Sequence, residues 1–282
     1  MSPLFLAFAR RKEAEARTAT LDQLITASTG SGGTGFRTIG NTWTREHYDG
    51  LFHLPPEPPD RPAVSLVFVQ SRDGNTAAHD PGELGGGPLD KHLIYEGLSR
   101  VAADAVLAGA ATARGANVCF SLWRDELVAL RQELGLPRHP AQVVVSHEGR
   151  LDVDALVFNE PDLRVFVLAG EICRTRCREF FAARPWITVV PIIGRSTRGA
   201  LEALRIAYGI HRVSAVGGRS IASSLLDDGV VQDLCLTTTA RTAGDPDTPY
   251  YVGNRPPHLE LIVGKHEVGS AEPIRFEHFA VT

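Results

Sequence analysis

Apolar residues recur along the chain with two different periods, and the change from one to the other predicts the elements of the fold. Residues 64–69 form a run rich in β-branched side chains between prolines and an Arg-Asp-Gly sequence, which is typical of a buried strand ending in a turn. A segment with helical period follows over 89–101, and a second apolar run over 105–108 stops at Gly109. Strand, helix and strand make a βαβ unit. The sequence therefore predicts a parallel sheet whose ligands bind at the carboxyl ends of its strands.

The same alternation continues through the middle of the chain and then stops. Helices are predicted over 122–134, 172–182, 197–207 and 221–226. Strands are predicted over 142–145, 163–168, 187–190 and 213–216. Three further runs are strand-like without a helix between them: 234–239, 258–268 and 274–281. We therefore expect an α/β fold with a mostly parallel, doubly wound sheet and antiparallel C-terminal strands that close its edge.

The first 60 residues have a different pattern. Residues 3–18 predict an amphipathic helix, and a shorter helix is predicted over 21–27. The glycine cluster at 28–35, STGSGGTG, superficially resembles a dinucleotide fingerprint, but no predicted strand precedes it and no long helix follows it. We interpret it as a flexible linker.

A proline-rich stretch, LPPEPPDRP at 54–62, marks the entry to the main domain. With 282 residues the chain can hold one large domain or two small ones. We predict a helical extension and linker over 1–60 and the main domain over 61–282.

Composition limits the class of protein. A hydrophobic share of 43% and a charged share of 22% are those of a soluble globular protein with a sizeable core. The net charge of −4 and the lack of a basic stripe with aromatic residues argue against a nucleic-acid partner. No apolar run reaches the roughly 18 residues that cross a membrane. The charges near the amino terminus follow a short apolar patch, the wrong order for a secretory signal, so we expect a cytoplasmic protein.

The cysteines favour a reducing compartment. They are Cys119, Cys173, Cys177 and Cys235. Cys173 and Cys177 lie four apart in a predicted helix, but no histidine or further cysteine is placed to complete a zinc site. We interpret them as structural thiols and predict no metal site.

Glycine and polar residues gather where predicted strands end. Gly217-Gly218-Arg219-Ser220 follows a strand and opens a helix, so free backbone N–H groups there could bind a phosphate, although a plain tight turn fits equally well. Ser71-Arg72-Asp73-Gly74 closes the first strand. This stretch is either a plain β-turn or a turn in which the Asp73 carboxylate orients the polar edge of a ligand.

Two further features bear on ligand binding. Small residues over 109–112 leave room for a flat ligand at the end of the second strand. Arg100, late in the preceding helix, either complements the helix dipole or points into the cleft, where its planar group suits a phosphate. The chain has no Ser-His-Asp ordering and no nucleophile elbow, so hydrolysis has no support.

Three stretches together resemble the reductase domain of riboflavin biosynthesis, a family with a dihydrofolate-reductase-like fold. They are RPAVSLVFVQSRDGNTA at 61–77, GGPLDKHLIYEGLSRVAADAVLAGAAT at 86–112 and VGGRSIASSLLDDGVVQDLCLT at 216–237. The family pattern has Ser-x-Asp-Gly after a strand, then a Gly-Gly-Pro-x-Asp bend, an Asp-Ala-Val-Leu-x-Gly-x-x-Thr strand and a late Gly-Gly before a helix. The resemblance covers residues 61–282.

Such reductases use NADPH to reduce the ribosylamino group of a pyrimidine phosphate to a ribitylamino group. The resemblance implies a set of cofactor-binding residues: Val69, Thr112, Gly217, Gly218, Arg219, Ser220 and Ile221. It implies that Arg100 and Val216 lie on the substrate side, with Arg100 on the phosphate, and that Ser71 and Asp73 are the catalytic candidates in the cleft. It also implies a small-molecule substrate and a homodimer.

The chain departs from the family pattern at several positions. Val216 replaces a Glu that faces the substrate, Arg219 replaces a Pro, and Arg72 stands where Leu is common. The run over 113–117, ARGAN, lacks the usual acidic residue, and Arg114 or Arg219 could attract the 2′-phosphate of NADPH instead.

These departures leave three readings open. The first is an NADPH-dependent reductase acting on the riboflavin intermediate or on a related pyrimidine or pterin-like heterocycle. The second is a catalytically degenerate NADP(H)- or ligand-binding protein of the same fold. The third is a structural α/β domain without a ligand.

Overall fold

The structure, a computed structural model, describes residues 1–79, 81–114, 118–253 and 255–282. The α-helices are α1 (Pro3–Thr18), α2 (Thr42–Tyr48), α3 (Gly87–Leu89), α4 (Asp125–Glu133), α5 (Glu171–Arg176), α6 (Arg178–Ala182), α7 (Arg198–Tyr208) and α8 (Arg219–Asp227). A π-helix (Asp90–Leu98) continues α3, and short 3₁₀ helices cover Pro81–Leu84 and Leu156–Phe158. The strands are β1 (Gln23–Thr29), β2 (Arg37–Ile39), β3 (Phe52–Leu54), β4 (Ala63–Gln70), β5 (Ala105–Gly109), β6 (Ala141–Ser146), β7 (Val165–Ala169), β8 (Ile187–Pro191), β9 (Arg212–Val216), β10 (Val231–Thr238), β11 (Leu259–Val268) and β12 (Arg275–Val281).

The large sheet has the strand order β1-β11-β12-β10-β4-β9-β5-β6-β7-β8. From β10 to β8 all neighbours run parallel. At the other end β12, β11 and β1 pair antiparallel. The prediction of a mostly parallel sheet with antiparallel C-terminal strands is confirmed. β2 and β3 pair separately.

Alternation along each strand gives the sheet a core on both faces, because neighbouring side chains point to opposite sides. On β4, Leu66 packs in one cluster with Leu201 of α7 and Leu225 of α8. Its neighbour Val67 packs in another cluster, with Leu93 of the π-helix. Helices therefore cover both faces, as expected for a parallel sheet.

Two expectations about individual strands are corrected. The helix predicted over 21–27 is wrong, because residues 23–27 lie in β1, which pairs with β11 in the register Ile25↔His266. β-branched residues and the free edge of β11 favour an extended strand there. β10, grouped with the antiparallel strands from its sequence, runs parallel to β4.

The glycine cluster after β1 is held against β11. The amides of Gly30 and Gly32 donate to the carbonyls of Ile262 and Leu261 at 3.1 and 3.0 Å. A Cβ atom on Gly30 would lie 2.2 Å from the Leu261 oxygen, so only glycine allows this approach. The division of the chain near residue 60 stays a prediction.

We expect Gly30→Ala to lower the free energy of unfolding by about 1–3 kcal/mol, because the added methyl group forces the backbone away from β11. Gly199→Ala is the matched control, since nothing lies within 4 Å of a Cβ atom at that helical position. The control should be neutral or slightly stabilising. Urea unfolding of both variants measures the difference. Equal effects in the two variants would contradict the close approach.

Two expectations about membranes and thiols can be compared with the structure. No helix in the described part of the chain has both the length and the apolar character needed to cross a bilayer. All four cysteines are free and buried.

Candidate active site

The adjacent strands β4, β9 and β5 end at one cavity of about 740 Å³. This volume lies within the roughly 300–1,000 Å³ typical of small-molecule sites. Val69 near the end of β4, Thr112 after β5 and Val216 at the end of β9 all line it. The cavity therefore lies where a parallel sheet is expected to bind its ligands.

A glycine corner joins β9 to α8 on one side of the cavity. Gly217 and Gly218 have φ angles of +68° and +86°, in the left-handed region that favours glycine. Both line the cavity, and so does Arg219, the first residue of α8. The N–H groups of the first turn and the positive end of the helix dipole are the features by which helix N-termini bind anions. A cation at a helix N-terminus is unfavourable by itself, and a bound anion would offset the repulsion between Arg219 and the positive end of the dipole.

The backbone at this corner is open to a ligand. A Cβ atom on Gly218 would lie 3.4 Å from the Thr112 Oγ1 atom, and one on Gly217 would lie 3.9 Å from the Thr112 Cγ2 atom. The threonine side chain thus stands beside the glycines without filling the space over them. The residues present fit a dinucleotide phosphate.

The π-helix and the residues just after it form another part of the cavity wall. Its backbone bonds close over five residues, as between the Ser99 amide and the Ile94 carbonyl at 2.9 Å. Five-residue spacing relates Asp90, Tyr95 and Arg100, and it also relates Lys91 and Glu96. All of these line the cavity. This one segment therefore contributes several polar groups to the wall.

Asp90 is the buried carboxyl group of this wall, with 5% of its surface exposed. Burial raises its pKa to about 7, although the hydrogen bond from Thr237 opposes that shift. The Thr237 Oγ1 atom donates to Asp90 Oδ1 at 2.5 Å. Thr237 pairs in register with Val69, so the carboxyl group lies beside the end of β4. Near neutral pH this group can hold a proton and release it.

Arg100 is buried in the same wall, and burial lowers its pKa. Its Nη1 atom donates to the Ser121 carbonyl at 2.6 Å, and its guanidinium carbon lies 5.9 Å from the centre of the Phe120 ring. Among the described residues its Nε atom has no hydrogen-bond partner. Glu96, which accepts from the Trp123 amide at 3.0 Å, provides an opposite charge in the same wall.

Ser71 and Asp73 form a closed turn after β4. The Ser71 Oγ atom donates to Asp73 Oδ1 at 2.7 Å, and the Asn75 side-chain amide donates to Asp73 Oδ2 at 2.8 Å. The Ser71 bond holds the pKa of Asp73 below its usual range. Neither Ser71 nor Asp73 is among the described residues that line the cavity, but Thr76, just beyond the turn, is.

The structure brings most of the predicted site residues together. Those lining the cavity are Val69, Arg100, Thr112, Val216, Gly217, Gly218 and Arg219. Ser220 is exposed in the first turn of α8, and Ile221 packs against β5, its Cγ1 atom 3.0 Å from a Cβ position on Gly109. The functional roles assigned to all of these residues, and to Ser71 and Asp73, stay predictions. The run over 113–117, which lacks the usual loop acid, lies outside the described residues at 115–117.

Sequence reasoning missed several cavity residues. Asp90 lay within a recognised motif, but an α-helical period gave no reason to turn it inward. Phe8 and Lys12 come from α1. No sequence signal linked that helix to the strand ends.

Among the described residues, one group of side chains is of the types that bind metal ions. Asp233, Cys235 and His278 are buried, and one ligand atom from each lies within 4.8 Å of the others. Both Asp233 oxygens already have partners, Ser65 Oγ at 2.6 Å and His278 Nε2 at 2.7 Å. We interpret the group as a hydrogen-bonded network between strands.

Comparisons with known proteins agree with this geometry. Residues 62–272 match the family described as the RibD C-terminal domain. A pyrimidine reductase-like protein from Corynebacterium diphtheriae is 22% identical, with a TM-score of 0.63 over 79% of this chain and 93% of that chain. A riboflavin biosynthesis reductase from Saccharomyces cerevisiae is 14% identical, with a TM-score of 0.55 over 80% of this chain and 93% of that chain.

A longer protein has a similar structure. It is a diaminohydroxyphosphoribosylaminopyrimidine deaminase/5-amino-6-(5-phosphoribosylamino)uracil reductase from Thermotoga maritima, 19% identical, with a TM-score of 0.55 over 79% of this chain. The match spans 57% of that protein. No curated protein sequence matches the chain. The family match covers most of the chain, and the solved structures share its sheet. The chain therefore belongs to the RibD C-terminal domain family, the reductase family of riboflavin biosynthesis, and has its dihydrofolate-reductase-like fold.

Proposed function

We propose that the protein is an NADPH-dependent reductase that transfers hydride to a ribosylamino-pyrimidine phosphate or to a related heterocycle. One observation carries this proposal: the anion-binding glycine corner and the protonatable Asp90 line the same cavity. NADPH, when bound, supplies the hydride from its nicotinamide ring. The protein's own groups have to position both reactants, exclude water and deliver a proton.

The cofactor side is the corner after β9. Gly217 and Gly218 allow the pyrophosphate to approach the backbone, and the first turn of α8 offers N–H groups to it. Arg219 adds a positive charge that suits a phosphate, including the 2′-phosphate that distinguishes NADPH. Val69 and Thr112 also line the cavity, and Thr112 lies beside both glycines.

The substrate side is the π-helix wall. Hydride addition to the carbon of a C=N or C=O bond places a negative charge on the neighbouring nitrogen or oxygen, which then needs a proton. Asp90 can donate that proton from its buried carboxyl group and take another from solvent after product leaves. Asp73 is poorly suited to this step, because its pKa is lowered and its oxygens are held by the turn. We propose that the Ser71–Asp73 turn instead positions the segment that carries Thr76.

Tryptophan fluorescence tests the cofactor half of the proposal. Trp123 lines the cavity and its emission overlaps the 340 nm absorbance of NADPH, so NADPH bound in the cavity should quench it by energy transfer, with saturable, micromolar binding. Trp123→Phe should remove most of the quenching. Trp186→Phe, at a tryptophan outside the cavity lining, is the matched control and should keep it. The lack of saturable binding below millimolar NADPH would overturn the proposal.

Turnover separates the reductase from a protein that only binds. Loss of 340 nm absorbance should depend on adding a heterocycle from a panel of ribosylamino-pyrimidine phosphates, dihydropterins and dihydrofolate. The Val216 replacement favours the second candidate, a catalytically degenerate binding protein, because a polar edge of the substrate loses a partner there. Tight NADPH binding without oxidation by any member of the panel would establish that candidate. A homodimer and a cytoplasmic location remain predictions.

A further inference from the structure

Helix α1 forms part of the cavity, although it lies outside residues 62–272 that match the family. Phe8 and Lys12 line the cavity, and Phe8 is only 4% exposed. The Ser2 amide and hydroxyl anchor the start of the helix by donating to Glu160 Oε2 at 2.8 and 2.6 Å. α1 is therefore a packed wall of the cavity.

Aromatic rings line the α1 end of the cavity. The Phe8 ring meets the Trp123 ring edge-on, with centroids 5.5 Å apart, and Phe120 lines the cavity nearby. Phe8 and Trp123 are 4% and 3% exposed, so each presents a small apolar surface against which an aromatic or heterocyclic ring can pack edge-to-face. Phe5, fully buried behind Phe8, packs edge-on against His139 with centroids 5.3 Å apart and fixes this wall.

Positive charge exceeds negative charge at the outer end of the same wall. The Lys12 Nζ atom donates to Glu15 Oε2 at 2.8 Å, and the Lys91 Nζ atom lies 3.6 Å from that oxygen. The Arg11 Nε atom lies 3.7 Å from Glu15 Oε1. Three cations thus share one carboxylate, and the bond from Lys12 chiefly lowers the pKa of Glu15.

The two lysines face the cavity and also reach solvent. Lys12 and Lys91 line the cavity with side chains 26% and 44% exposed, whereas Asp90 and Arg100 are buried deeper in the wall. A ligand whose ring packs on Phe8 and Trp123 would extend an outer substituent toward the lysines. A negative charge on that substituent would be attracted by the surplus of cations.

We propose that Lys12 and Lys91 form a subsite for a carboxylate or phosphate group of the substrate, and that Phe8 with Trp123 holds the ring of the substrate. Glu15 is the internal counter-ion that the substrate anion replaces. Helix α1, from outside the matched family region, then selects the substrate. This inference rests on the proposed reductase function, because it assigns the cavity end that the cofactor leaves open.

Binding of paired ligands to the NADP⁺-loaded protein tests the subsite. One pair is 5-amino-6-(5-phosphoribosylamino)uracil and its dephosphorylated form, and the other is dihydrofolate and dihydropterin, which lacks the carboxylates. Lys12→Gln and Lys91→Gln should each weaken the charged member of a pair about two- to fivefold, a usual range for one partly exposed charge. The uncharged member should be unaffected. The pair that responds identifies the phosphate or the carboxylate as the group bound.

Glu15→Gln gives the clearest test, because it should change the affinity for the charged ligand in the opposite direction. Removing the internal counter-ion should tighten the charged ligand about two- to fivefold. A folding defect would weaken all ligands and could not produce this gain. Equal changes for charged and uncharged members, or a loss of affinity in Glu15→Gln, would overturn the subsite.

The ring contact has its own variants. Phe8→Leu keeps the volume and the burial but removes the ring, and it should weaken both members of a pair by a similar factor. Leu4→Ala, at a 58% exposed position on the same helix, is the control and should change neither.

The Kd of NADPH separates this inference from the function on which it rests. It should stay unchanged in every α1 variant. A raised Kd for NADPH, but not for NADH, in Lys12→Gln would assign the lysines to the cofactor phosphate and overturn the inference. If the unaltered protein binds NADPH but none of the paired ligands, the subsite alone is overturned. If the unaltered protein does not bind NADPH, the reductase proposal itself is overturned.

Discussion

Replacing Asp90 with asparagine is expected to lower kcat about 100- to 10,000-fold, the range usual for loss of a positioned proton donor. The amide keeps the size of the carboxyl group but cannot release a proton at neutral pH. NADPH binding should be unchanged, because the proposed cofactor corner is formed by other residues, Gly217 to Arg219. Single-turnover oxidation of bound NADPH with a substrate from the panel measures the loss.

The pH profile shows whether Asp90 itself is the acid. Since the protonated form donates, the rate should fall as pH rises through about 7. Thr237→Val removes the hydrogen bond that lowers this pKa, so the midpoint should move to higher pH. Asp73→Asn is the matched variant and should change the rate little. A larger loss of rate in Asp73→Asn than in Asp90→Asn would show that Asp73, the candidate suggested by the sequence, is the catalytic residue.

Stability gives a readout independent of substrate. The pKa of Asp90 is raised from 3.8 to about 7 by burial, so between these values the unfolded chain ionises while the folded chain stays neutral. Folded stability therefore falls as pH rises from about 4 to about 7, by up to about 4 kcal/mol. Asp90→Asn abolishes this cost. The free energy of unfolding of the variant, relative to that of the unaltered protein, should therefore be higher at pH 8 than at pH 4.

The sequence predicted the centre of the sheet because burial there is simple. β4, β5 and β9 lie inside a parallel sheet covered on both faces, which gives short, continuous apolar runs that mark each strand. The edge was harder. β1 has one fully buried residue, Leu24, and its pairing with β11 depends on backbone groups that no side-chain pattern records.

The same contrast applies to the site. The glycine corner could be predicted, because glycines between a strand and a helix have a conformational cause that local sequence carries. Asp90 and Lys12 could not. Asp90 lies at the start of the π-helix and is bonded to Thr237 of β10, and Lys12 reaches the cavity because α1 packs on the segment around Trp123, more than 100 residues away in the chain. Both depend on tertiary structure, which the periodicity of a single segment does not encode.

Replacing Gly218 with valine is expected to raise the Kd for NADPH at least about 100-fold, which corresponds to about 2.7 kcal/mol. Two effects combine. A β-branched residue is strongly disfavoured at a φ of +86°. Its side chain would also fill the space beside Thr112, where a Cβ atom already lies 3.4 Å from Oγ1, and would hold the phosphates away from the N–H groups of α8. Isothermal titration with NADPH measures the change.

Gly209→Val separates strain from the loss of the phosphate site. Gly209 ends α7 at a φ of +67° with nothing within 4 Å of a Cβ atom, and it precedes the amino end of β9, away from the cavity. Both variants should lose stability in urea because both place valine in the left-handed region. Only Gly218→Val should lose affinity for NADPH, because only that glycine lies where the phosphates are expected to bind. Equal losses of NADPH affinity would mean that backbone strain alone disturbs binding, whereas unchanged affinity in Gly218→Val would show that the cofactor phosphates bind elsewhere in the cavity.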